Sequence, residues 1–287
     1  ATASPSLANC DGANPATVLH PVVAAPLLEA RAVWLDPWLL RWPGVEARGR
    51  FHLYHSATGR ALAVTGAQVA GADGVLELHV ATDAPPPAVA VRFRHVAAGV
   101  TLRLASAAED LRQLHREQLL LVQEDETGRV LRATRLQSPG ALDELYAAAA
   151  NAELGATVTP GRTTIALWAP TARNVALCLY RDGNGLAQSL EPLQRNAQTG
   201  VWSTAIAQDL SGGYYTFLVD VNVDGIGLVR NRVTDPYAIS LTTDSRRAYI
   251  ADLNAPELKP AGWDQAAAAA RAQQPTDAVI YELHVRD

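Results

Sequence analysis

A cluster of three tryptophans is the first feature of this sequence that could bind a ligand. Trp34, Trp38 and Trp42 fall within nine residues. Indole rings at this density can form a platform on which sugar rings stack, because each ring offers a large, flat, apolar face. The same rings are also the bulkiest groups that a hydrophobic core can use. A stacking platform and core packing are therefore both open, and packing is the favoured interpretation.

The residues that could bind a metal are less well arranged. His52 and His55 lie on one predicted strand, and their odd spacing directs them to opposite faces, so one ion cannot bind both. Residues 220–225 match the first half of a calcium-binding loop, but Asn231 stands where a bidentate Glu is required. The acids at 124–126 occupy a predicted turn with no apolar wall to raise a pKa. The sequence predicts no metal and no other cofactor.

Composition excludes several classes of protein. The chain has 287 residues, a formal net charge of -5 and 48% apolar residues, which suits two domains with cores of their own. No stripe of Lys and Arg indicates a nucleic-acid partner, and no apolar run approaches the ~20 residues of a membrane span. Two cysteines cannot define a disulfide framework. Cys10 lies in a polar segment, and Cys178 is interpreted as a small buried residue.

Strands must position most of these side chains, because apolar residues alternate with a period of two along much of the chain. Residues 154–180 are predicted to form a hairpin with its turn at residues 169–172, where Pro170 cannot donate to a ladder. Residues 138–150 are predicted to form a short helix, capped by Ser138, at a hinge between modules. Further strands are predicted at 50–56, 75–81, 90–96, 118–124, 130–136, 201–207, 214–221 and 228–233.

The two ends of the chain differ from its middle. Residues 1–30 have no clear period and are predicted to be a flexible arm. Residues 251–277 are predicted to be a linker, with a short helix that starts near Asp264 and ends before Pro275. Residues 278–285 form a nearly continuous apolar run, typical of a strand buried on both faces. Such a strand needs partners, so we expect that the natural protein continues, or that the strand is disordered or pairs elsewhere.

Seven short motifs occur in one order from about residue 31 to the end. They are AVWLD at 32–36, LQSPGALDELY at 136–146, LGA at 154–156, LWAPTA at 167–172, NRVTDPY at 231–237, LKPAGW at 258–263 and IYELHVRD at 280–287. In this order they resemble the N-terminal region of bacterial pullulanases and plant limit dextrinases, debranching enzymes of glycoside hydrolase family 13.

The resemblance implies an all-β fold of two antiparallel, immunoglobulin-like β-sandwich domains in tandem. A pullulanase-type sandwich would span residues 31–150, and a carbohydrate-binding module of family 48 would span residues 151–250. Residues 278–287 would be the first strand of a catalytic (β/α)8 barrel whose later strands are not in this sequence.

The resemblance also implies a function. The parent enzyme would hydrolyse α-1,6 branch linkages in pullulan, amylopectin and limit dextrins, with catalytic acids on later barrel strands. No catalytic residue can therefore be assigned here, and this chain alone is expected to be inactive. Its domains would buttress the barrel and contribute to α-glucan binding. The alternatives are a stand-alone α-glucan-binding module and the same region of an isoamylase or branching enzyme. Calcium remains possible in the full-length family.

Related glycogen-binding modules hold sugar with two exposed tryptophans, one after the second core strand and one before an Asp-Pro exit. Here those regions read RDGNG at 181–185 and LVRNR at 228–232, so neither offers an aromatic ring. Trp168 and Trp202 remain, and both are expected at a sheet edge or against the barrel. The compartment is open, with a secreted or periplasmic location favoured over a cytoplasmic one. The candidate carbohydrate-binding residues are Trp34, Trp38, Trp42 and Trp202.

Overall fold

The computed structural model describes residues 4–21, 28–57, 62–265 and 274–283. The chain forms two compact units, Ala1–Ala251 and Asp252–Asp287. The first unit contains both β-domains. None of the helices in the described residues is long and apolar enough to cross a membrane.

The N-terminal segment and the first domain contain mainly strands. In chain order the elements are α1 (Leu7–Asp11), β1 (Ala16–Pro21), β2 (Ala30–Trp34), β3 (Leu39–Pro43), β4 (Arg50–Ser56), β5 (Ala63–Thr65), β6 (Gln68–Ala70), β7 (Gly74–Val80), α2 (Pro87–Arg92), β8 (Gly99–Arg103), α3 (Ala108–Leu114), β9 (Gln118–Glu124), β10 (Val130–Gln137) and α4 (Pro139–Leu145).

In chain order the second domain contributes nine strands of its own. They are β11 (Gly155–Thr159), β12 (Arg162–Trp168), β13 (Asn174–Tyr180), β14 (Ala187–Pro192), β15 (Gln194–Arg195), β16 (Val201–Ile206), β17 (Tyr214–Val223), β18 (Gly227–Val233) and β19 (Ala248–Tyr249). Single 3-10 turns follow α4 at Ala147–Ala149 and precede β19 at Thr243–Ser245.

The first domain is a sandwich whose two sheets share their edge strands. β7 pairs with β4 in one sheet and with β8 in the other, and β10 pairs with β9 and, in parallel, with β2. The ring β10-β2-β3-β8-β7-β4-β9 is therefore closed, which removes free edges from these seven strands, and β5 and β6 form a separate two-stranded sheet. Alternation holds within it: Phe51 and Leu53 on β4 face the core and are 1% and 0% exposed.

The second domain is an immunoglobulin-like sandwich, and both predicted sandwiches are confirmed as β-domains. One sheet has the order β1-β18-β17-β13-β14, with β19 beside β17, and the other has the order β11-β12-β16-β15. Its core lies between these sheets. The main buried apolar residues there are Ile165, Leu167, Val175, Leu177, Trp202, Tyr215, Phe217 and Val219.

The hairpin predicted at residues 154–180 is wrong in its pairing. β12 pairs with β11 and β16, whereas β13 pairs with β14 and β17 in the opposite sheet. The turn at residues 169–172 therefore carries the chain from one sheet to the other, a gap of about 10 Å. The period of two predicted which residues face the core, but it contains no information about the partner strand.

The flexible arm predicted at residues 1–30 is also wrong over most of its length. α1 packs on the second domain, and β1 adds to its sheet by antiparallel pairing with β18. A disulfide joins Cys10 to Cys178 on β13. We call residues 4–21 the N-terminal strap. Residues 1–3 and 22–27 lie outside the described residues.

Two further predictions have different outcomes. Residues 90–96 were predicted to be a strand, but α2 ends at Arg92 within this segment and turns follow it, with Pro87 in the first turn of the helix. In the second unit, residues 278–283 carry no strand within the described ranges, and Val279 and Ile280 are 96% and 90% exposed. Their assignment to a barrel strand stays a prediction. Residues 266–273 of the predicted helix lie outside the described residues.

Candidate functional site

The tryptophan cluster of the first domain is part of its core. Trp34 and Trp42 are 0% and 3% exposed and pack with Phe51 and other buried residues. Trp38 is half-buried against the same cluster, and its Nε1 donates to the Ser106 carbonyl at 2.9 Å. The stacking-platform interpretation is therefore wrong for Trp34 and Trp42, because rings enclosed in a core cannot receive a sugar.

The two tryptophans of the second domain also have structural contacts. Trp202 is 6% exposed, and its Nε1 donates to the Ala169 carbonyl at 3.0 Å. Trp168 is half-buried at the end of β12, with its Nε1 donating to the Thr199 carbonyl at 2.9 Å. Trp202 therefore serves the core between the sheets instead of an open binding surface.

The structure brings together the two regions in which related modules carry their sugar-binding tryptophans. Residues 183–186 and Arg232 line one cavity of about 420 Å³, and the N-terminal strap forms part of its wall. We call this the strap cavity. It is lined by Cys10, Asp11, Pro15, Tyr180, Gly183, Asn184, Gly185, Leu186, Thr216, Arg232, Thr234, Arg246 and Arg247.

Tyr180 is the aromatic residue of the strap cavity, and its ring is already covered. The Arg247 guanidinium lies 3.6 Å from the ring centroid, a cation–π contact. Arg247 also donates to the carbonyls of Asp182 and Gly185 at 2.7 and 2.6 Å. The Tyr180 hydroxyl donates to the Cys10 carbonyl at 2.8 Å, and burial raises the pKa of this phenol. A sugar could stack on Tyr180 only after Arg247 had moved away.

Hydrogen bonds and the disulfide hold the strap against the second domain. Arg232 donates to the Cys10 carbonyl at 2.6 Å, and the Ala187 amide donates to Asp11 at 3.0 Å. Arg230 donates to Asn9 at 3.2 Å. Cys10 is 1% exposed, so the disulfide lies beneath the strap and not at its surface. The strap is thus an integral layer of this domain.

The half-motif for calcium at residues 220–225 is used for an ion pair. Arg230 contacts both carboxylate oxygens of Asp220 at 2.7 and 2.8 Å, and Asp220 is 2% exposed. Both oxygens of its carboxylate therefore accept from a guanidinium in a fork geometry. Among the residues that the structure describes, no group of three or more His, Cys, Asp or Glu could hold a metal ion.

The two histidines of β4 each have a separate carboxylate partner. His52 Nδ1 lies 2.8 Å from Glu124, and His55 Nδ1 lies 2.7 Å from Glu117. Tyr54 donates to the other oxygen of Glu124 at 2.7 Å, and burial together with this bond raises the pKa of Tyr54 to about 12. Glu124 was interpreted as part of a solvated turn, yet it is buried, with 4% exposed, because these side chains cover it.

Arg116 links the first domain to the second. Its guanidinium donates to the carbonyls of Ala172 and Arg173, both at 3.0 Å, and its own carbonyl accepts from Asn222 at 2.9 Å. Nearby, Arg195 of the second domain donates to the hydroxyl of buried Tyr146 at 2.9 Å. These contacts join the two β-domains within one compact unit.

Comparison with known families matches both domains. Residues 29–144 match the family model of the Pullulanase N2 domain, and residues 153–238 match that of carbohydrate-binding module 48, the isoamylase N-terminal domain.

Among curated proteins, the chloroplastic pullulanase 1 of Arabidopsis thaliana is 33% identical over 264 residues, covering 91% of this chain and 27% of that protein. The pullulanase of Klebsiella pneumoniae is 32% identical over 263 residues, covering 90% of this chain and 24% of that protein. The chain therefore spans about a quarter of the length of these relatives.

Solved structures agree with this similarity. The apo pullulanase of Klebsiella pneumoniae superposes with a TM-score of 0.76 at 30% identity, over 85% of this chain and 27% of that chain. A maltotriose complex of a mutant of the same enzyme gives 0.74 at 31% identity, over 85% and 26%. Residues 29–144 thus belong to the Pullulanase N2 family, residues 153–238 belong to carbohydrate-binding module family 48, and the chain is homologous to the N-terminal region of pullulanases.

Proposed function

We propose that this chain is the non-catalytic N-terminal part of a pullulanase-type enzyme that hydrolyses α-1,6 branch linkages in pullulan, amylopectin and limit dextrins. The observation that carries the proposal is the succession of a Pullulanase N2 domain at residues 29–144 and a family 48 module at residues 153–238, in a chain that aligns with a pullulanase over 91% of its length. In this proposal the two domains buttress a catalytic barrel and help to bind α-glucan.

The contacts between the domains support a buttressing role. Arg116 donates to two main-chain carbonyls of the second domain, and Asn222 returns a hydrogen bond to Arg116. Main-chain acceptors do not change rotamer, so a bridge to them holds the two domains in one orientation. A rigid pair of this kind suits the support of one wall of a substrate cleft.

Catalysis would belong to the barrel of the parent protein. The chain alone should therefore release no reducing sugar from pullulan above a buffer blank, whereas the full-length protein that carries the same region should release it. The matched comparison uses equal molar amounts of both proteins and follows reducing ends over time. Turnover of the isolated chain at the rate of the full-length protein would overturn the proposal.

Glucan binding by the second domain is tested separately. Native electrophoresis of the 287-residue chain through gels with and without glycogen should show retardation only in the glycogen gel. Bovine serum albumin in the same lanes controls for sieving. Unretarded migration would remove the glucan-binding part of the proposal and would leave the buttressing part standing.

The Cys10–Cys178 disulfide supports an oxidising location for the protein. Buried disulfides of this kind form and persist in oxidising environments such as the periplasm or the extracellular medium, and they are rare in the cytosol. The proposed location is therefore secreted or periplasmic. Mass analysis of alkylated protein purified from its natural source should find both cysteines protected, and free thiols would contradict this location.

A further inference from the structure

Two strand edges of the second domain face a common groove. β14 is the last strand of its sheet. In the opposite sheet, β15 pairs with β16 only at Ser203 and Trp202, so β16 has an open edge from Thr204 onwards. The chain crosses between the sheets just after Pro192, which closes one end of the space between these edges. We call this space the edge groove.

The edge groove has the size of a small-molecule site. Its volume is about 760 Å³, and ligand pockets in proteins commonly measure roughly 300–1,000 Å³. Its floor is apolar, because Leu179, Ile206 and Leu210 are half-buried there and pack on the core between the sheets. A ligand with an apolar face would therefore displace water from a hydrophobic surface.

The walls of the groove carry neutral hydrogen-bonding groups. Gln188 and Gln208 offer amides on its two sides, and Ser189 and Thr204 offer hydroxyls from β14 and β16. Amides and hydroxyls both donate and accept. An apolar floor between such walls matches a sugar ring, which has apolar faces and a hydroxyl at almost every edge.

Charge and rigidity favour the same class of ligand. The charged residues of the groove are Arg181, Glu191 and Asp209, so the sum of their charges is small and selects no strongly ionic ligand. Asp209 is already used, because it accepts from the amide and hydroxyl of Ser211 at 2.9 and 2.6 Å. The loop that bears Gln208 is thereby ordered before binding, which reduces the entropy that a ligand must remove.

An extended peptide is a poorer occupant of this groove. A peptide that adds to a sheet needs a run of free main-chain donors on the edge strand. β14 ends at Pro192, which has no N–H, and the charged Glu191 precedes it. Proline and charge on an edge strand are devices that discourage strand addition.

We propose that the edge groove is the α-glucan site of the second domain and that it takes a short run of neutral glucose units. This inference rests on the proposed glucan-binding function. The strap cavity is a poorer site, because it is walled in part by the N-terminal strap and its Tyr180 ring is covered by Arg247. The edge groove is free of both obstacles.

The test measures binding of maltoheptaose to the 287-residue chain by isothermal titration calorimetry. The groove variant is Gln188→Ala/Gln208→Ala, in which both substituted residues are exposed and removable without disturbing the core. The matched control is Asn184→Ala/Arg246→Ala, two exposed residues of the strap cavity. We expect the groove variant to raise Kd about tenfold, because it removes two hydrogen-bonding amides, and the control to stay within about twofold.

A nearly isosteric substitution, Thr204→Val, serves as a second variant that keeps the fold and removes one hydroxyl. It should raise Kd by about threefold, with an unchanged thermal midpoint. If the unaltered chain binds and only the strap-cavity control weakens, the groove inference is overturned and glucan binding stands. Equal affinities of all variants would overturn it as well. Absence of binding by the unaltered chain would instead remove the proposed glucan-binding function itself.

Discussion

Removal of the Cys10–Cys178 disulfide should strongly destabilise the second domain. The cysteines are 168 residues apart in sequence. In the chain-entropy model, the cross-link changes the entropy of the unfolded chain by −2.1 − 1.5R ln n, where n is the number of residues in the loop. For this loop the change is about −17 cal/mol/K, which corresponds to about 5 kcal/mol of stabilisation at 25 °C. Measured disulfide contributions are commonly about 2–4 kcal/mol. The substitution Cys10→Ala/Cys178→Ala should therefore lower the free energy of unfolding by about 3–5 kcal/mol.

Urea unfolding at pH 7, followed by far-UV circular dichroism, measures this change. Leu7→Ala is the matched control, because Leu7 lies on the same helix, is 42% exposed and takes no part in the disulfide. It should change the free energy of unfolding by less than about 0.5 kcal/mol. Unaltered protein that has been reduced in urea should unfold at the same midpoint as the double variant.

Hydrogen exchange in the strap provides a second readout. β1 keeps its ladder to β18 and Arg232 keeps its bond to the Cys10 carbonyl when the sulfur atoms are removed. The strap should therefore stay docked but open more often, and the amides of β1 should exchange faster than in the unaltered protein. If the double variant unfolds at the same urea concentration as the oxidised protein, the inference that the disulfide stabilises the docked strap is refuted.

Three other substitutions test the remaining arguments. Burial lowers the pKa of His115 to about 4. As the pH falls, the unfolded chain, in which this imidazole has a pKa of about 6.5, is protonated before the folded chain. The free energy of unfolding should therefore fall by about 3 kcal/mol as the pH drops from above 6.5 towards 4. Urea titrations of the unaltered protein and of His115→Gln should diverge over this range, and parallel curves would contradict the assignment. Arg116→Ala removes both guanidinium hydrogen bonds to the second domain and should lower the free energy of unfolding by about 1–3 kcal/mol. The control is Arg162→Ala, at an exposed residue, which should leave the thermal midpoint unchanged in the same calorimetric experiment. Tyr215→Phe removes a 2.6 Å hydrogen bond to buried Asp235. Burial raises the pKa of Asp235, and the Tyr215 hydrogen bond opposes this shift because it favours the charged carboxylate. The loss of about 1–3 kcal/mol should therefore be larger at pH 7 than at pH 4, where more of the carboxyl group is protonated. Equal losses of unfolding free energy at both pH values would exclude this reason.

Some strands were predictable from local pattern. The predicted ranges 50–56 and 118–124 coincide with β4 and β9. β4 alternates between buried and less buried residues, and β9 is a short, mainly apolar run that is buried along almost its whole length. At residues 90–96 the apolar run is short and follows three prolines, and α2 forms there. A short apolar run cannot distinguish a strand from a helix, and α2 has no buried residue that a burial pattern could have indicated.

Long-range partners were not predictable from local pattern. β1 pairs with β18, more than 200 residues away, so the strap was interpreted as a flexible arm. One signal was present on β13, where Ala176, Cys178 and Tyr180 share the face opposite to the core. A sheet face that is exposed to water alternates with polar residues, and three such residues indicate a covering layer. Cys10 is the one other cysteine of the chain.

The site was harder to predict than the fold. Trp34 and Trp42 carry the same spacing whether they stack on sugar or fill a core, because both uses need large apolar rings. Only burial decides between them, and it favours the core. The edge groove has no sequence signature at all. Its walls come from β14 and β16, and its side chains are of common types that form no motif.

The strap cavity can be judged as a sugar site on energetic grounds. A sugar that stacked on Tyr180 would have to displace Arg247, with loss of a cation–π contact and two hydrogen bonds. These terms together amount to about 2–4 kcal/mol, which would weaken binding by roughly 30-fold or more. Neither residues 181–185 nor residues 228–232 offer an aromatic ring to compensate. A glucan that binds the second domain therefore gains more from a surface that needs no rearrangement.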